Sequence, residues 1–284
     1  MKPIFCIDIT NDKKNETVNG GEFIVASVSS ETSQTYDKKR DDVMEIISKS
    51  QHPLWLRIVE YVSGFAAFAC VVGIIRSIGN VTLAQAYKNA PGIFWVGGIC
   101  AVLWAVLFIS SKIRKNKVES SPEATALKEH IDKDVKMIFD ELGVPENAED
   151  VDVMTFSYII KNGKTLIRKP SIDGITFYNA LIKIYRKDDA LCIADLKNNY
   201  EFPINMMKEI STVNKTVSMV GWSKDESPFE GRYKKYKIRI SGDSMPVFKP
   251  YHILKIYDGN EEYGIYFPCY ELEIFEKLTG LRAE

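Results

Sequence analysis

The sequence predicts an α+β protein: a two-helix transmembrane hairpin joined to a mostly antiparallel β region that ends on a helix. Three observations carry this. Two long apolar runs lie close together before residue 115. A series of short strand-like runs, separated by brief polar breaks, fills the chain after residue 150. The last stretch is amphipathic at helical spacing. Composition agrees, since 45% hydrophobic and 26% charged residues are globular values rather than those of a disordered chain. Lys and Arg total 37 against 38 for Asp and Glu, a balance that excludes a general nucleic-acid binder.

The first 50 residues form an N-terminal segment, predicted as a β-hairpin and a short helix. Met1-Lys2-Pro3-Ile4-Phe5 opens a polar stretch without a long apolar core, so it is not a signal peptide. Phe5-Cys6-Ile7-Asp8-Ile9 alternates, and Glu22-Phe23-Ile24-Val25-Ala26 is a second strand-like run. Asn15, Asn19, Gly20 and Gly21 between them supply turn chemistry. Asp8, Asp12 and Glu16 lack the spacing of an EF-hand loop, which favours a solvated hairpin over a cation site. Ser33 to Ser50 reads as a charged helix with Val43, Ile46 and Ile47 as its apolar stripe. Two strands and one helix make too small a core to stand alone, so packing on the C-terminal part or on a partner is expected.

Residues 54–78 give the first membrane-spanning helix. Tyr61 to Ile75 carries no charge, and Arg57 and Glu60 fall near one end, where they can pair or snorkel. Residues 89–111 give the second, with no charge at all. Lys38, Lys39, Arg40, Lys49 and Arg57 precede the pair, and Lys112, Arg114, Lys115, Lys117 and Lys128 follow it. The link holds only Arg76 and Lys88. By the positive-inside rule both termini face the cytoplasm of an inner membrane. Small residues recur at four-residue spacing: Gly97, Ala101 and Ala105 in the second helix, Ala69 and Gly73, or Ala66 and Cys70, in the first. Such rows suit packing of the hairpin on itself, the favoured reading, or a homo-oligomer. No ionisable residue sits at the centre of either helix, which disfavours a transporter and leaves anchoring as the simplest role.

Residues 121–143 form an amphipathic helix. Ser121-Pro122-Glu123 starts it, Leu127, Ile131, Val135, Ile138 and Leu142 repeat along it, and Gly143 and Pro145 stop it. Residues 150–284 then form the β-rich domain. Its predicted strands run over 154–161, 176–185, 190–196, 200–204, 210–213, 217–222, 236–240, 252–257 and 263–267, with short links that favour antiparallel pairing. Cys269 to Leu281 closes it as a helix, with Leu272, Phe275, Leu278 and Leu281 on one face.

About seven antiparallel strands closed by an amphipathic helix is a specific order of elements. The carrying residues are Ile182-Lys183-Ile184-Tyr185 through Leu191-Cys192-Ile193, then Tyr200-Glu201-Phe202-Pro203-Ile204 into Met207-Lys208-Glu209-Ile210, and Tyr263-Gly264-Ile265-Tyr266-Phe267-Pro268 into the terminal helix. With these, Ile175 to Glu284 resembles the pleckstrin-homology-like (PH-like) domains of bacterial membrane proteins. The resemblance implies a bent barrel plugged at one end by its helix. It also implies binding of lipid headgroups, peptides or other subunits, and no reaction. The chain departs from that pattern in the long insertion Ser223 to Lys235 and in the elements before residue 175.

The candidate contact site is basic. Lys235, Lys237 and Arg239 alternate with Tyr236, Ile238 and Ile240, and Arg232 and Lys234 come just before. On a strand, the three alternating cations would share a face. They would either meet an anionic leaflet, at about 1 kcal/mol per charge, or guard an edge strand against unwanted pairing. Lys161, Lys164, Arg168 and Lys169 form a second basic stretch, read as a solvated loop. The five cysteines, Cys6, Cys70, Cys100, Cys192 and Cys269, show neither a CxxC spacing nor a disulfide framework, and the three histidines stand apart from ligand clusters. No P-loop, GxGxxG, HExxH or GxSxG is present, and no cofactor, metal or catalytic residue is expected. The expected function is a non-enzymatic, membrane-anchored scaffold or adaptor whose partners are membrane lipids, an unidentified protein and, through the helices, copies of itself. The alternatives are a subunit of an oligomeric pore or transport complex, or a membrane-bound enzyme with an unrecognised site.

Overall fold

The structure, a computed structural model, describes residues 1–8, 14–17, 19–50, 52–78, 82–161, 164–167, 175–220, 231–241 and 245–284. The protein is mixed α+β and divides into two compact units. One comprises Gln34–Asp134; the other joins Met1–Ser33 to Val135–Glu284.

The first unit is helical. Helix α1 spans Ser30–Ser50, α2 Leu54–Ile78, α3 Leu83–Asn89, α4 Pro91–Glu119 and α5 Pro122–Glu141. Thr82 and Gln85 start α3 with a reciprocal capping box, Pro91 starts α4, and the Ser121 hydroxyl caps α5 by accepting the Ala124 N–H at 3.2 Å. The short α3 occupies part of the link that the sequence left unassigned. At 1.5 Å per residue α2 and α4 are about 37 and 43 Å long, enough to cross a hydrocarbon layer of about 30 Å. Their side chains stay uncovered by the rest of the chain: Phe65 is 74% exposed and Val102 66%.

α2 and α4 pack on each other. A Cβ on Gly97 would lie 2.7 Å from the Cys70 Cβ, and one on Gly64 would lie 2.8 Å from the Trp104 ring. The small residues therefore serve the close approach of the two helices within one chain. Gly98, next in sequence, has nothing near its would-be Cβ. Gly97→Ile is expected to weaken the hairpin by about 1–3 kcal/mol, seen as a lower SDS-unfolding midpoint of the full-length protein in detergent. Gly98→Ile is expected to leave that midpoint unchanged; equal effects would refute the packing account.

The second unit is built from strands. In chain order they are β1 (Lys2–Pro3), β2 (Phe5–Asp8), β3 (Lys14–Thr17), β4 (Ile24–Ser27), β5 (Glu149–Lys161), β6 (Lys164–Ile167), β7 (Ile175–Lys187) and β8 (Ala190–Ala194). Then come β9 (Asn198–Pro203), β10 (Met207–Val213), β11 (Val217–Val220), β12 (Arg239–Ser241), β13 (Met245–Phe248), β14 (Tyr251–Asp258) and β15 (Glu261–Pro268). Two short helices complete it, α6 (Gly231–Lys234) and α7 (Leu272–Thr279). β5, β7, β8 and β9 pair antiparallel in succession. β10, β14 and β15 form a second antiparallel run, with β1 added in parallel. Six strands of this unit curl into a half-barrel, and the C-terminal helix packs into its core through Ile274 and Phe275.

The core follows the strand period. Val151 and Val153, Ile182 and Ile184, Leu191 and Ile193, and Tyr200 and Phe202 alternate inward, and Phe267 and Phe275 close the barrel. β14 is buried on both faces: Leu254 and Ile256 enter this core, while Tyr251 and Ile253 enter a second one with Met154, Val217, Tyr233, Phe248 and Tyr270. α7 stops at Gly280, whose φ of 78° suits glycine.

Two sequence expectations are corrected. Phe5–Asp8 and Ile24–Ser27 do not pair with each other: the first pairs with Lys14–Thr17, the second with Asn198–Pro203. The first strand turns back on the nearer segment and also pairs in parallel with β5, while the second sets Ile24 opposite Tyr200 on β9. Residues 1–33 share a compact unit with the β-rich half. Finally, the expected strand 236–240 is mostly a turn, with only Arg239 onward in β12.

Candidate functional site

Three of the five cations singled out in the sequence, Lys235, Lys237 and Arg239, meet around a groove, by a different geometry from the one expected. Tyr233 and Ile238 are both buried in the second core, and Tyr233 packs edge-on against Tyr270 with centroids 5.4 Å apart. These two anchors lie five positions apart, and a strand would point them to opposite faces. The chain instead makes one helical turn over Gly231–Lys234, followed by a tight turn in which Tyr236 N–H donates to Tyr233 C=O at 3.0 Å. Lys237 takes a left-handed backbone, φ 50°. Burial of the two anchors overrides the alternation that suggested a strand.

The groove, of ≈ 770 Å³, is lined by Lys235, Lys237, Arg239 and Lys249, with buried Ile238 and Phe248 among its apolar lining. Lys234 does not line it. The Arg232 side chain lies outside the described residues, as do Arg168 and Lys169 of the second basic stretch, whereas Lys161 and Lys164 pair across the β5–β6 hairpin. Lys249 is the cation that sequence reasoning missed. It directly follows β13, which pairs with β12 from Arg239↔Val247 onward, so the β12–β13 pairing brings Lys249 to the same groove as Arg239. That pairing is not legible without knowing that residues 239–241 and 245–247 form a hairpin.

Electrostatically the groove is uneven. Lys235 is ion-paired with Glu273 at the start of α7, and that hydrogen bond raises its pKa. Its ammonium also stands 5.0 Å from the Tyr236 ring centre, a cation–π contact. Lys237, Arg239 and Lys249 are exposed and have no carboxylate partner among the described residues.

The other polar clusters are structural. Asp195 is buried, and its Oδ1 accepts the Lys197 and Asn198 N–H groups at 2.8 and 2.7 Å, while the Tyr200 hydroxyl donates to Oδ2 at 3.3 Å. This builds the β8–β9 turn, and burial raises the carboxyl's pKa. Tyr270 donates to Asp152 Oδ2 at 2.9 Å, and Glu271 Oε1 accepts the Asp152 N–H at 3.1 Å, tying the approach to α7 onto β5. Burial pushes the Cys6 and Cys269 thiols up to about 12, which removes thiolate nucleophilicity at neutral pH. Among the described residues no group of three or more His, Cys, Asp or Glu side chains is arranged to hold a metal.

No family model, curated protein or solved structure matches the chain.

Proposed function

We propose that this protein is a membrane-anchored, non-enzymatic scaffold or adaptor. The α2–α4 hairpin lies in the cytoplasmic membrane of a bacterium, with both termini on the cytoplasmic side, and holds a PH-like β unit that binds a protein partner or anionic lipid. The observation that carries this reading is the uncovered apolar surface of two membrane-length helices on a chain whose β unit has its own core and a cationic groove. A core helix of a water-soluble protein would be largely buried, and these are not. The four-strand run, the three-strand run and the closing helix support the PH-like reading. The cation excess at the outer ends of the hairpin supports the orientation. Tethering raises the local concentration of the β unit for weak ligands at the membrane.

Two measurements on the full-length protein test the reading. In intact cells, an impermeant maleimide is expected to label Lys88→Cys and to spare Lys115→Cys, with the protein retained in carbonate-washed membranes. Labelling at position 115, or release by carbonate, would overturn the anchor. Crosslinking in native membranes is expected to trap a discrete protein or lipid adduct on the β unit; its absence would overturn the scaffold role.

A further inference from the structure

We infer that the groove beside β12 and β13 is a binding site for a phosphate-bearing anion, and that the Glu273 carboxylate is its built-in competitor. The inference deepens the scaffold reading and rests on the β unit being a ligand-binding module.

Lys237, Arg239 and Lys249 converge on one concave surface, and none of the three is ion-paired with a carboxylate among the described residues. Like charges held together repel, so such a cluster suits an anion of more than unit charge. Its ≈ 770 Å³ falls in the size range of small-ligand sites. Arg239 supplies a planar fork that can grip two phosphate oxygens, and the lysines supply point charges. Ile238 and Phe248 add an apolar lining suited to a glycerol or acyl stem. An acidic peptide fits less well. β12, the edge strand here, is three residues long and offers little ladder for strand addition.

The fourth cation, Lys235, is held by Glu273. That carboxylate occupies a cation which an incoming phosphate would otherwise use, and it sets a negative charge beside the groove. Both partners are about half exposed, so the pair can open without disturbing the core. Glu273 thus lowers affinity and restricts the site to ligands carrying enough charge to displace it.

The shared ligand chemistry is a phosphate ester, from a bilayer headgroup or from a soluble metabolite. The test is calorimetric titration of the full-length protein in neutral maltoside detergent with glycerol 3-phosphate, dihexanoyl phosphatidic acid and a decaglutamate peptide. Saturable binding of a phosphate ester is expected, weakened about fivefold by each of Lys237→Ala, Arg239→Ala and Lys249→Ala and weakened by added salt. Glu273→Gln is expected to tighten it about threefold, while Lys208→Ala, a cation on β10, leaves it unchanged. Tighter binding of the phosphatidic acid than of glycerol phosphate identifies a lipid source; equal binding identifies a soluble one. Thermal unfolding of each variant must match the parent, and Lys237→Gln replaces any alanine variant that does not. Stronger binding of decaglutamate, no saturable phosphate binding, or binding indifferent to the groove variants would each overturn the inference. A partner adduct in native membranes without phosphate binding would sink this inference and leave the scaffold reading intact. Phosphate binding without membrane retention would do the reverse.

Discussion

Phe275→Ala is expected to cost the β unit about 3–5 kcal/mol, much of the stability of an ordinary domain. Phe275 is 0% exposed and lies flat on Phe267, with ring centres 3.8 Å apart and planes within 8°. Phe267 in turn meets the His252 ring at 5.6 Å. α7 reaches the barrel through Ile274 and Phe275, so truncation both opens a cavity and loosens the helix that fills the barrel end. Phe275→Leu keeps most of the volume and is expected to cost under about 1.5 kcal/mol. The contrast is Phe65→Ala on α2, whose side chain is 74% exposed and touches little of its own chain. Near-ultraviolet circular dichroism during thermal unfolding of the full-length protein in detergent separates them. Phe275→Ala should lose the β-unit transition at a much lower temperature, and Phe65→Ala should keep it. Equal losses would mean that the α2 aromatic has a protein partner, contrary to the anchor reading.

The same contrast explains what was legible in the sequence. A membrane-length helix is written in one apolar run: the span 54–78 coincides with α2, and 89–111 covers the apolar part of α4, which runs on through the charged residues to Glu119. The closing helix is written in helical spacing and most strands before it in short apolar runs between polar breaks, which is why Ala190–Ala194 and Glu261–Pro268 were readable. Non-local pairing is not written that way. Nothing near Ile24 announces that it will face Tyr200, yet that register fixes where the N-terminal strand lies. The basic site failed for a related reason. Alternation around Tyr236 was real, but the deep burial of Tyr233 and Ile238 in a core made by distant strands decided the backbone. The cations still converged, because a turn gathers neighbouring residues as well as a strand face does. Lys249 joined them only through the β12–β13 hairpin.

A second large effect is expected from acid. His252 is buried on β14, with its Nδ1 3.2 Å from the Thr212 hydroxyl, and burial lowers its pKa from 6.5 to about 4 against a smaller opposing pull from the Glu276 carboxylate. The folded protein therefore keeps this ring neutral where the unfolded chain protonates it. With a depressed folded pKa, the unfolded state binds the extra proton, so stability is fully present above pH 6.5 and falls as pH drops from 6.5 toward 4. The whole shift corresponds to about 3 kcal/mol, and solvent screening brings the expected loss to about 2 kcal/mol. The Ala283 N–H, at 3.0 Å from Glu276 Oε1, and the Arg282 guanidinium hold the Glu276 pKa below its ordinary 4.5, so its own contribution is present above that pH and is lost as pH falls further. His252→Asn keeps a polar group near Thr212 and removes the titration. The difference in unfolding free energy between parent and variant, measured at pH 7, 6, 5 and 4, should shift steadily in the variant's favour by about 2 kcal/mol in total. A difference that stays flat with pH would show that burial leaves the His252 pKa unshifted, and one that moves in the parent's favour as pH falls would show a protonated ring paired with Glu276 on α7.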